Sequence, residues 1–115
     1  MNMLEAYERD ARQVIVKALA GRDDLTLNTT MLDHALRQFG VNEPPEWIFD
    51  QLAWLERMGV VSVAVASAST RVATLTEKGV NHVLGKRKIE GIGRPSLASL
   101  GLDLISQGLK QKIGE

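Results

Sequence analysis

The chain has 115 residues, 44% of them hydrophobic and 24% charged, with fourteen basic side chains balancing fourteen acidic ones. These are ordinary values for one globular domain, long enough to bury a core without disulfides or a metal. There is no cysteine, which excludes a disulfide framework, a thiolate metal site and a cysteine nucleophile.

The zero net charge hides an asymmetry. Residues 1–60 carry six Lys and Arg against ten Asp and Glu, and residues 61–115 carry eight against four. An acidic half followed by a basic half points to an oriented surface, with anionic partners expected on the later half. No apolar run approaches the roughly 20 residues needed to cross a bilayer. The opening MNMLEAYERD also lacks the apolar stretch of a secretory signal. A cytoplasmic location with no membrane contact is the expectation.

Residues 4–20 predict a first helix. Leu4, Tyr7, Ala11, Val14, Ile15, Ala18 and Leu19 form one apolar stripe, and Gly21 stands where a helix end favours positive φ. Leu25 and Leu27 then alternate with polar neighbours, as in a very short strand. Asn28, Thr29 or Thr30 caps a second helix, with Met31, Leu32, Ala35, Leu36 and Phe39 inward and Gly40 as its stop.

A third helix follows the turn FGVNEPP. Pro44 and Pro45 suit a helix start, where a missing N–H costs nothing. Ile48, Leu52 and Leu55 make a seam widened by Trp47, Phe49, Trp54 and Met58, and Gly59 ends it. VVSVAVASASTRVATL reads as two β-rich segments around the turn SAST, a hairpin. Thr76 opens a fourth helix with acid in its first turn and bases at its end, matching the helix dipole. KIEGIGRPSLASLG, rich in Gly, Pro and Ser, reads as a linker. In a last helix Leu102, Ile105, Leu109 and Ile113 form an apolar stripe.

Helix, short strand, two helices, hairpin and helix is the order of a winged helix-turn-helix. The expected fold is mainly α with a small β-hairpin and a C-terminal tail helix. Residues 1–88 would be the winged domain, 89–99 the linker and 100–115 the amphipathic tail.

The run LTEKGVNHVLGKRKIEGIGRPS, residues 75–96, resembles a stretch in small winged-helix proteins of Mu-like bacteriophages and prophages. These are often labelled arsenic-repressor-type transcriptional regulators. The similarity lies in Leu75 and Thr76, Gly79, Gly85, and Gly91 through Arg94 and Pro95. PPEWIFDQLAWLERMGVV, residues 44–61, looks like the same family's third helix leading into a strand. Together the two runs cover about a third of the chain. The resemblance implies a DNA-binding regulator in a bacterial host cell. The metal sensing that the label suggests is not implied here, because the thiolate ligands are absent.

In a DNA-binding winged helix the third helix is expected to enter the major groove. Here its outer face carries Glu46, Asp50, Ala53 and Arg57, with Glu43 just upstream. Three acids and one arginine suit a protein contact or a solvated face better than a phosphate field. The better DNA candidates are Ser69, Thr70 and Arg71 at the wing, with Ser67 beside them, and the cluster Lys86, Arg87, Lys88 and Arg94; Arg57 joins them from the third helix. Each group also has an ordinary structural reading, as a hairpin turn or a solvated helix end.

Protein contacts are expected at Glu46 and Asp50, and at Leu102, Ile105, Leu109 and Ile113 in the tail, whose stripe must pack on its own domain or on a second copy. Trp47 and Trp54 are core residues or part of a dimer surface. His34 and His82 have no metal-ligand spacing, and no nucleophile elbow or phosphate loop is present. The expectation is a non-enzymatic protein without cofactor or metal, binding double-stranded DNA. The competing class is an adaptor that docks through its acidic third helix.

Overall fold

The structure is a computed structural model that describes residues 2–93. Helix α1 (Met3–Ala20) is capped by the Asn2 side chain, which accepts from the Glu5 N–H at 2.8 Å. Strand β1 (Thr26–Asn28) precedes α2 (Thr29–Gln38), and of the three cap candidates it is Asn28 that serves, accepting from the Met31 N–H at 2.9 Å. Helix α3 (Pro45–Arg57) starts behind Pro44. Strands β2 (Val61–Ser67) and β3 (Thr70–Leu75) form the hairpin, and α4 (Glu77–Val83) is capped by Thr76. The sheet is antiparallel with strand order β1-β3-β2. This is winged-helix topology, with α2 and α3 as the helix-turn-helix and β2-β3 as the wing.

Local chemistry accounts for where the chain turns. After α2 the Gly40 φ of +82° lets the Val41 N–H reach back to the Leu36 carbonyl. After α3 a φ of +77° at Gly59 does the same for Val60 and Leu55. In each case the returning bond satisfies an end carbonyl and seats an apolar residue in the core. Gly21 differs. It caps α1 with φ −77°, and it is Leu25, at φ +60°, that takes the left-handed turn into β1.

The core lies between α1, the helix-turn-helix and the inner face of the sheet. Ala11, Ile15, Val16 and Leu19 of α1 meet Leu32 and Leu36 of α2, Ile48, Leu52 and Leu55 of α3, and Ala73 and Leu75 of β3. Thr76 ties the wing's exit to α3: its hydroxyl lies 2.7 Å from the Gly59 carbonyl and accepts from the Gly79 N–H. A Cβ at position 79 would stand 2.6 Å from the Val60 carbonyl, so α4 approaches this closely only with glycine there.

Two expectations are corrected. Met31 and Phe39 do not face inward; they are 50% and 71% exposed. The buried line of α2 is Thr29, Leu32 and Leu36, and Phe39 falls at the cap, beyond the last helical turn.

The second correction concerns residues 89–93, read as the start of a linker. Ile89 and Ile92 are only 4% and 1% exposed and belong to the core. The segment is strapped across α1: the Gly93 N–H donates to the Arg9 carbonyl at 2.9 Å, and Arg12 Nη1 donates to the Gly91 carbonyl at 2.9 Å. Gly91, at φ +94°, leaves no room for a Cβ against the Trp54 indole. The glycines that suggested a flexible tether are what let this strap lie close. The winged domain therefore extends at least to residue 93. The expected tail helix, with Leu102, Ile105, Leu109 and Ile113, lies outside the described residues, as does Arg94.

Candidate nucleic-acid interface

The faces of α3 fall as its periodicity requires. Ile48, Leu52 and Leu55 are buried, while Glu46, Asp50, Ala53 and Arg57 are exposed. Both tryptophans pack within the domain. The Trp47 ring lies 5.8 Å from that of Tyr7, and the Arg12 guanidinium stacks 4.0 Å above Trp54.

Arg12 also donates to Gln51 Oε1 at 2.8 Å, and Glu8 Oε2 accepts from Gln51 Nε2 at 3.1 Å. This network ties α1, α3 and the strap together, and burial lowers the Arg12 pKa, against the raising effect of Glu8. The one sequence signal for it was a charged and an amide residue, Arg12 and Gln51, beside apolar stripes.

The wing tip is largely occupied with itself. Ser67 Oγ accepts from the Ser69 N–H at 3.2 Å and lies 3.3 Å from Ser69 Oγ. Arg71 turns back: its guanidinium sits 4.4 Å over the Phe49 ring of α3, and its Nη1 donates to the Ser67 carbonyl at 2.9 Å. Its N–H donates to Thr29 Oγ1 at 3.2 Å. The charge still lies at the surface, but it is held against α3 rather than extended.

Between the wing tip, the start of α2 and the turn into α3 lies a concavity of about 400 Å³, bordered by Thr29, Asp33, Glu43, Ile48 and Ser69. Asp33 is paired with Arg37 at 2.9 Å, and Glu43 accepts from the Tyr7 hydroxyl at 2.8 Å. Burial and the neighbouring Glu43 raise the Tyr7 pKa. The concavity and the α3 face beside it thus have an acidic rim, with Glu46 and Asp50 exposed.

The second group forms where α4 ends. The Lys86 and Arg87 N–H groups both reach the Asn81 carbonyl, and the side chains of Lys86, Arg87 and Lys88 are exposed. Lys88 pairs with Glu90 at 3.2 Å, whereas Lys86 and Arg87 make no ion pair among the described residues. The structure thus brings together Ser67, Ser69, Thr70 and Arg71 at the wing tip, and Lys86, Arg87 and Lys88 at the end of α4. Among the described residues no hydrogen bond or ion pair joins the two groups. Arg57 is exposed at the end of α3.

The two histidines differ in setting. His34 is exposed on α2, whereas His82 is 2% exposed with its Nε2 2.9 Å from Gln13 Oε1. Burial lowers the His82 pKa, and backbone groups of Gly93 and Arg87 partly offset this. His82 therefore joins α4 to α1 as a buried polar pair with Gln13, while its Nδ1 and the Gln13 Nε2 have no hydrogen-bond partner among the described residues.

No family model, curated protein or solved structure matches the chain. Its class rests on the element order and sheet topology alone, which are those of a winged helix-turn-helix domain. No helix among the described residues is long and apolar enough to cross a membrane.

Proposed function

We propose that this is a phage-type winged-helix protein that binds duplex DNA through its phosphates and catalyses no reaction. It would act as a transcriptional regulator or another DNA-associated factor. The observation that carries the reading is the exposed pair Lys86 and Arg87, free of ion pairs among the described residues and next to Lys88. Such a cluster gains affinity by releasing counterions from the duplex and reads no sequence. The hydroxyls of Ser69 and Thr70 and the flank of Arg71 offer further phosphate contacts. Helix α3 is not the reader in this account, because Glu46 and Asp50 would enter the phosphate field of the groove. The resemblance of residues 75–96 to Mu-like phage proteins supports the same class.

The test is the salt dependence of duplex binding in Lys86→Ala with Arg87→Ala. Affinity should fall for every sequence, and the slope of log K against log salt should lose about 0.9 for each contact removed. An unchanged slope would remove the cluster from the interface.

The exposed acids of α3 favour a second reading, a winged-helix adaptor that docks on a basic protein surface. In that case Glu46→Lys with Asp50→Lys would abolish partner capture, whereas under the DNA reading the same change would strengthen duplex binding.

A further inference from the structure

Among the described residues strand β2 is an edge of the sheet, because the order is β1-β3-β2. Its sequence, VSVAVAS, has no charge and no proline, and no charged residue stands between Arg57 and Arg71. Edges of this kind are normally blunted by lysine, proline or an inward charge, because their unpaired backbone groups accept another strand.

The direction of those groups can be read from the other side of the sheet. The Leu75 N–H donates to the Leu25 carbonyl, and the Arg71 N–H to Thr29 Oγ1, both on the β1 side of β3. Their partners across the hairpin are Val61 and Val65, with Val63 opposite Ala73. Alternation of the antiparallel ladder then turns the N–H and C=O groups of Val61, Val63 and Val65 outward. The Val63 N–H confirms it, donating to Glu56 Oε2 at 2.9 Å rather than to β3.

The same three valines share one face. Val61 is buried and Val63 half-buried, while Val65 is left 70% exposed.

We infer that the outer edge of β2 pairs with β2 of a second copy of this chain, antiparallel about a twofold axis at Val63. That register sets Val63 opposite Val63, and Val61 opposite Val65, in both directions. Outward backbone groups meet outward backbone groups, and the exposed Val65 is covered by the valine row of the other copy. A twofold contact must be self-complementary, and a strand with valine at every second position and no charge meets that demand. Pairing stops where the strand irregularity between Val65 and Ser67 begins.

Glu56 is the guard on this edge, since its carboxylate occupies the central N–H and must leave when the second strand arrives. Five paired residues bury less than the roughly 800 Å² per partner of a standard interface, so the dimer is weak and concentration-dependent.

Sedimentation across a wide concentration range tests this with the full chain. Wild-type protein should pass reversibly from monomer to dimer. Val65→Lys should remain monomeric with an unchanged melting temperature, because Val65 is exposed. Glu56→Ala should tighten the dimer about tenfold by freeing the Val63 N–H and removing a charge near the axis.

The cysteine-free chain allows a check of register by oxidation. Ser62→Cys and Ala64→Cys should cross-link when mixed, because they face each other, and should not cross-link when either is alone. Val63→Cys alone should cross-link to itself. A wild-type monomer at every concentration, a dimer that survives Val65→Lys, or cross-linking indifferent to register would each overturn the inference.

Discussion

Ile92 tests whether the segment after α4 belongs to the domain. Its side chain is 1% exposed within a strap whose second apolar anchor is Ile89. The strap is also held to α1 by the Gly93 N–H bond to the Arg9 carbonyl, the Arg12 side-chain bond to the Gly91 carbonyl and the Arg9–Glu90 ion pair. Full burial of an isoleucine is worth about 1.5–3 kcal/mol, and truncation leaves a cavity that brings the cost of Ile→Ala to about 2–5 kcal/mol. A strap at the domain's margin relaxes more readily than a central helix, which places Ile92→Ala in the lower half of that range. Urea unfolding followed by tryptophan fluorescence is the assay, since Trp54 packs against Gly91 and reports directly on the strap.

Ile89→Ala should cost a similar amount, while the double variant should cost less than the two together. Once one anchor is lost the strap detaches and the second has little left to hold, a failure of additivity expected of coupled neighbours. Detachment in the folded state should also reduce the urea m-value, because less surface remains to be exposed. A cost below about 0.5 kcal/mol, typical of surface positions, would refute the strap and restore the linker.

Leu52→Ala should cost about 2–5 kcal/mol and Asp50→Ala no more than about 0.5 kcal/mol, measured by the same urea titration; the reverse order would invert the α3 faces. Gly79→Ala should lower the melting temperature: helix propensity favours alanine by roughly 0.5–1 kcal/mol, but the new Cβ meets the Val60 carbonyl and Leu75. His82 has a folded pKa below its ordinary value, so the unfolded chain binds its proton first as pH falls. Stability is then complete above about pH 6.5 and declines as pH drops below it. His82→Gln should flatten that decline in chemical unfolding between neutral and mildly acidic pH; an unaltered profile would move the cause elsewhere.

Much of the fold was legible because its signals are local. The apolar stripes of α1 and α3, the caps at Asn28 and Thr76, and the stops at Gly40 and Gly59 are each set by neighbours a few residues apart. A short strand was expected around Leu25 and Leu27, but only Leu27 lies in β1, since Leu25 makes the left-handed turn before it. Other features depend on partners distant in sequence. Ile89 and Ile92 looked like linker residues because Gly91 and Gly93 dominate a local reading, yet the same glycines permit contact with Trp54 and Arg9. Phe39 looked buried from its composition, but the helix ends one residue too soon to carry it inward. At the candidate site, the acidity of α3 and the cluster from Lys86 to Lys88 were plain from composition. The turning of Arg71 onto Phe49, and the capping of Val63 by Glu56, were not, because both cross between elements.

The most direct measurement is fluorescence anisotropy of the wild-type protein on two duplexes of unrelated sequence, titrated at low and moderate salt. If Lys86, Arg87 and the wing hold phosphates, both duplexes should bind with matching affinity and lose it in parallel as salt rises. Absence of binding to either duplex at low salt would contradict DNA association and leave the acidic face of α3 as the functional surface.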